Sequence, residues 1–283
     1  MKTTRHFAAS ALAGLTALAC SSLGLAATVS NFVVTPSSPF FGGGPQHVVG
    51  IAADSAPGYP FGSFGSDGVG KSDLYFPPEA LFGREVLIGE IEGITYWTKK
   101  GTTHAASPSD WFLNIYTKRY TGQTGASFYG IRIGTELYFS AGMVDPVNTW
   151  NQWTTDGPTN YLRFFESTYG YFGSYSDPHF TAFVAGSSVS GVRGASRPYA
   201  SQPILAFSPQ TASAWAAGFT GKLDGLSIML TDGSIANINF EAVDRTATNK
   251  DMCKNDGWKT AYRADFTAFK NQGDCIQYVN TGK

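Results

Sequence analysis

The run Trp111-Phe112-Leu113-Asn114-Ile115-Tyr116-Thr117 and its follower Phe128-Tyr129-Gly130-Ile131-Arg132-Ile133-Gly134 decide the fold class of this chain. Both alternate with the period of two at which successive side chains of a strand take opposite faces. Between them stands Thr121-Gly122-Gln123-Thr124-Gly125, a loop of hairpin composition. The spacing predicts two antiparallel strands, with residues 136–140 extending the meander.

The same texture continues on both sides. Further strands are expected at 28–34, 47–51, 85–97, 148–154, 203–208, 222–230 and 235–240, the last two joined by an Asp232-Gly233 turn. The segment 162–168 reads as a short strand or a mid-chain helix. Within the Ser/Gly-rich stretch 169–202, residues 179–184 are the best-ordered prospect, and 59–71 reads as an irregular loop. Charged residues make up only 14% of the chain and there are 33 Gly, which disfavours a helical protein. The reading is an all-β protein, an antiparallel β-sandwich over 28–245 followed by a small element over 246–283.

The two ends speak of compartment. Lys2 and Arg5 precede an apolar run from 7 to 25, and Gly24, Ala26 and Ala27 offer small residues for cleavage before Thr28. This is the pattern of a secretory signal peptide over 1–27, with lipid attachment at Cys20 as an alternative processing route. The leader holds two of the 20 basic residues and none of the 21 acidic ones, so the remainder carries a net charge of −3. An acidic balance argues against a nucleic-acid partner. No later apolar stretch reaches the ~20 residues that span a bilayer. A secreted or periplasmic location is expected. Cys253 and Cys275 then form an even pair, expected as a disulfide in an oxidising compartment. His47, His104 and His179 are not spaced near a Cys as zinc ligands would be. Near the end, Tyr262, Phe266 and Phe269 are spaced by four and three, which predicts a short helix over 259–269.

These residues carry two resemblances. The segment 110–116, then Gly130-Ile131-Arg132-Ile133, Thr149-Trp150 and the run 214–228 resemble the laminin-G-like and concanavalin-like jelly rolls of secreted bacterial proteins, over roughly residues 70–242. The tail, Cys253-Lys254-Asn255-Asp256-Gly257-Trp258 followed by Phe269-Lys270-Asn271-Gln272-Gly273-Asp274-Cys275, is similar to an ending on many uncharacterised secreted bacterial proteins. Asp256 stands where that ending often has Gly. The first resemblance implies a jelly-roll sandwich and the second implies export; neither implies an activity.

Catalytic prospects are few. Glu90 and Glu92 are spaced to share one face of a strand, as the paired carboxyls of a glycosidase would, with Glu166 as a distant third. Jelly-roll lyases use His, Tyr, Arg and Gln, for which His179, Tyr175, Arg193 and Gln202 are available. The run 186–191 lacks the spacing of a nucleophile elbow. Aromatics are the stronger signal. Trp150 and Trp153, three apart, fall on opposite faces of a strand. Trp150 is assigned to the core. Trp153, with Tyr171 and Tyr175, is assigned to a binding surface, since sugar rings stack on aromatic faces. Asp145, Asp156 and Asp177 leave calcium open without a ligand-spacing motif; no other cofactor is expected. The chain is expected to be a non-catalytic module that binds a glycan or another extracellular ligand. The alternatives are a polysaccharide-active enzyme and a structural or adhesive surface protein.

Overall fold

In the computed structural model the residues described are 27–38, 46–102, 110–125, 127–135, 137, 143–166, 180, 184, 198–213 and 218–283. The leader and Cys20 lie outside them. The hairpin that opened the sequence forms as expected. β5 (Phe112–Thr117) pairs antiparallel with β6 (Arg132–Thr135), Ile115 opposite Ile133. β9 (Ile204–Gln210) flanks β5 on the other side with Phe207 opposite Ile115, and the two-residue β8 (Phe165–Glu166) completes a four-stranded sheet.

The second sheet has seven strands. At its centre β10 (Lys222–Leu230) runs antiparallel to β4 (Ile91–Lys99), and β4 to β7 (Trp150–Thr154). On its other side β10 pairs first with β3 (Ser63–Ser66), then with β11 (Ile235–Phe240). β2 (Val48–Ile51) adds to β3, and β1 (Val29–Val34) adds to β11. The β10–β11 turn is the expected one: Gly233 takes φ +84° and the Asp232 carboxylate accepts the Ser234 N–H. One pairing departs from the antiparallel expectation, because β1 lies parallel to β11.

The inward faces of the two sheets make one core, with Leu113, Ile115, Ile133 and Phe207 from one and Ile94, Tyr96, Leu226, Ile228, Ile238 and Phe240 from the other. The fold is thus an all-β sandwich. Burial of such faces is its main source of stability, at roughly 25 cal/mol per Å² of apolar surface.

Three local expectations need correction. Ser63–Ser66 is a strand within the supposed loop 59–71; all four residues are buried, so no in–out alternation marked it. The short α1 (Pro78–Phe82) was not foreseen. Residues 259–269 are not helical, since Phe266 has φ +66° and Tyr262 bridges to Thr246 and Ala268. The helix lies later, as α2 (Gln272–Thr281), started by the Asn271 side chain accepting the Asp274 N–H.

The tail does form a disulfide-closed appendix. Cys253 and Cys275 are bonded, with Cα atoms 5.7 Å apart, inside a second small core with Ala247, Ala261 and Phe269. The Arg263 guanidinium lies 4.5 Å from the centre of the Phe269 ring and pairs with Asp274 at 2.7 Å. The appendix docks on the sandwich through Tyr262, fully buried and stacked 5.4 Å from Phe61.

Candidate functional site

The two tryptophans of β7 occupy the reverse of their expected places. Trp153 stands opposite Tyr96, an inward residue of β4, and is 0% exposed. Its indole N–H donates to Thr98 Oγ1 at 2.7 Å, and Thr98 donates to Asp110 Oδ2 at 2.5 Å. A ring sealed in this way offers no face to a sugar. Trp150 takes the outward side instead, half-buried. The period of two put the pair on opposite faces correctly, but it could not tell which face was the core.

The expected carboxylates do not converge. Glu90 ends a one-turn 3-10 helix rather than sharing a strand face with Glu92. It accepts the Leu87 N–H and pairs with Arg84, each at 2.7 Å. Glu92 is exposed on β4. Glu166 is on the other sheet, buried, and accepts the Tyr199 hydroxyl at 2.5 Å. Asp145 sits against the Lys100 ammonium at 3.7 Å and accepts from Asn151, while Asp156 lies in an exposed turn. Among the described residues no group of three or more His, Cys, Asp or Glu is placed to hold a metal. Tyr171, Tyr175, Asp177, His179 and Arg193 lie outside the described residues. Gln202 donates to the Pro198 carbonyl.

Asp110 and Asp145 form a buried acid pair. Burial, then the charge of Asp145, pushes the Asp110 carboxyl well above the usual range, against donors from Thr98 and the Trp111 N–H. Burial also raises Asp145. Asp110 is 1% exposed, so the pair belongs to the core network.

The outward face of β7, β4 and β10 gathers what these groups do not. The strand register sets its side chains in successive rows. The first row is Trp150, Lys99 and Lys222; the second is Gln152, Trp97 and Asp224; the third is Thr154, Thr95 and Ser227. The third row continues through Asn237 on β11 to Asn31 on β1, with Ser227 donating to Asn237 and Asn237 to Asn31. Rows two residues apart are separated by about 6.6 Å along the strands.

Segment 52–62, between β2 and β3, crosses one end of this face. Its Asp54 is the hub of the first row. Asp54 Oδ2 accepts Lys99 Nζ at 2.8 Å and also Lys222 Nζ, while Oδ1 accepts the Trp150 indole N–H at 2.8 Å. Partial burial alone would raise the Asp54 pKa, but these donors outweigh it and hold it down at about 2. The same segment covers Asp224, whose carboxylate takes the N–H groups of Ala56, Gly225 and Phe240. Gly225 is required here: its φ is +57°, and a Cβ would come within 2.3 Å of the Tyr59 ring packed over it. At the other end the face dips into a shallow groove of about 310 Å³, lined by Glu92, Thr95, Thr154, Asp156, Ser227 and Met229 among others.

A second aromatic patch lies on the small sheet. Tyr75, Tyr116, Phe128 and Tyr129 pack together with ring centroids 4.8–5.9 Å apart, and Phe128 is 58% exposed. Sequence reasoning missed it, although with Leu113 and Ile115 inward, Tyr116 had to face outward.

Comparison of the chain with protein families, with curated proteins and with solved structures finds no match.

Proposed function

We propose that this chain is an exported, non-catalytic binding module whose ligand is a glycan, bound along the outward face of β7, β4 and β10. The observation that carries this reading is the row structure of that face. Half-buried Trp150 and Trp97 lie beside a ladder of amide and hydroxyl groups from Gln152, Thr154, Thr95, Ser227 and Asn237. A sugar ring has an apolar C–H face and a rim of hydroxyls. A surface that alternates indole with small hydrogen-bonding groups matches both, and indoles carry large contact area at low entropic cost. Trp150 is also pre-oriented by its bond to Asp54, which lowers the ordering cost of binding.

The disulfide favours an oxidising compartment, and no helix among the described residues is long and apolar enough to cross a membrane. The glycosidase alternative loses its motive in Glu90, Glu92 and Glu166, which are held in three different settings; of the lyase set, Tyr175, His179 and Arg193 lie outside the described residues. The exposed Phe128 patch favours a second reading, docking onto another surface protein.

The test is retention of purified 28–283 on insoluble polysaccharides, comparing wild type with Trp150→Ala, Trp97→Ala and Phe128→Ala. Loss with the first two and not the third is expected. Retention unchanged by Trp150→Ala and Trp97→Ala would move the site elsewhere.

A further inference from the structure

We infer that the ligand is a sparsely charged acidic glycan, whose carboxylate is taken by Lys99 and Lys222. This rests on the glycan reading above and adds the ligand's charge and its direction on the face.

Asp54 is saturated. Its two oxygens receive three donors, from Lys99, Lys222 and Trp150. Two ammoniums against one carboxylate leave an excess of one positive charge. Each ammonium has three N–H donors and spends one on Asp54. Among the described residues neither lysine has another acidic partner, and their side chains remain 19% and 25% exposed. Asp224, one row away, gives neither lysine a second acceptor, because its carboxyl is fully buried and occupied by three backbone N–H groups. The lysine row therefore presents unspent donors and net positive charge beside the Trp150 indole, on a chain that is acidic as a whole.

The opposite end has the opposite sign. The groove carries Glu92 and Asp156, and neither side chain has a cationic partner among the described residues. Lys99 and Glu92 are seven residues apart on one strand, about 23 Å. A chain laid along the face thus meets cations at one end, hydroxyls and amides in the middle, and carboxylates at the other. A neutral glycan leaves the ammonium donors unused. A densely sulfated chain gains at the lysines and is repelled at Glu92 and Asp156. A glycan with isolated carboxylates between neutral rings satisfies all three parts.

The experiment measures affinity of purified 28–283 for hyaluronan, a neutral β-glucan, heparin and phosphatidylglycerol vesicles, at low and high salt. Variants are Lys99→Gln, Lys222→Gln and Glu92→Gln, each first checked by thermal melting. Hyaluronan is expected to bind best and to weaken about tenfold with either lysine variant, the loss of one charged hydrogen bond. High salt should weaken hyaluronan and leave the glucan unchanged. Glu92→Gln should bring heparin closer to hyaluronan. Equal, salt-insensitive binding of glucan and hyaluronan would overturn the acidic assignment and leave the glycan reading standing. If a lysine variant fails to fold, the wild-type salt series alone decides. Binding to the vesicles alone, or to no polysaccharide by folded protein, would overturn both.

Discussion

Thr98→Val tests whether the buried Trp153–Thr98–Asp110 chain holds the sandwich together. The substitution keeps side-chain shape and removes only the hydroxyl. That hydroxyl is 0% exposed and does two things: it accepts the Trp153 indole N–H at 2.7 Å and donates to Asp110 at 2.5 Å. Without it the indole N–H has no acceptor, which costs about 1–3 kcal/mol for a buried group. Asp110 keeps the Trp111 N–H but loses its other donor, and a hydrogen bond to a carboxyl that burial keeps toward its neutral form contributes roughly 0.5–1.5 kcal/mol. Apolar burial of the new methyl offsets about 1 kcal/mol. A net loss of about 2 kcal/mol follows, or a fall in Tm of about 4–8 °C for a chain of this size. The assay is urea unfolding followed by tryptophan fluorescence, with Thr98→Ser as control. Thr98→Ser keeps both bonds and should lose only about 1 kcal/mol. A loss under about 1 kcal/mol for Thr98→Val, or a larger one for Thr98→Ser, would refute the reasoning.

Three further outcomes are expected. Cys253→Ser with Cys275→Ser opens a loop of sequence separation 22 and should cost the appendix about 3 kcal/mol by the chain-entropy argument, seen as early exchange of 246–283 amides while the sandwich keeps its protection. Burial lifts the Glu241 carboxyl to about 7, above its ordinary value of 4.5, so its protonated form favours the folded state. That contribution is full below about pH 4.5 and is lost as pH rises through 7; Glu241→Gln should flatten a pH series of melts between those values. Gly225→Ala should destabilise by well over 1 kcal/mol through its φ and the Tyr59 ring, and a variant melting like wild type would show that segment 52–62 yields freely.

Strand existence was legible because burial on one face leaves a period of two, as in β5 and β4. Strands buried on both faces leave none, which is why Ser63-Phe64-Gly65-Ser66 reads as a loop. The tail shows a conflict between two signals. The aromatics at 262, 266 and 269 have helical spacing, yet Asn271 three residues before Asp274 is a helix start, and the cap won. Period two also separates Trp150 from Trp153 without saying which is inside. That is decided by pairing with Tyr96, a contact between residues 57 positions apart. The site was the least legible part. Asp54 sits in a Gly/Pro/Ser-rich segment with no local motif, and its partners arrive from β4, β7 and β10. Such a hub is a product of topology, so no window of sequence contains it.

The parallel pairing of β1 with β11 has a mechanical consequence. Six registered pairs run from Val29 opposite Ile235 to Val34 opposite Phe240. A pull on the chain upstream of Val29 against a pull downstream of Phe240 draws these two strands past each other lengthwise. All the rungs then bear load together, in shear, whereas an antiparallel pair held at one end would open rung by rung like a zip. Beyond Phe240 the bond between Cys253 and Cys275 lets tension bypass the residues between them. A chain pulled from its two ends would therefore resist first at β1, where all six rungs to β11 must give way in one step.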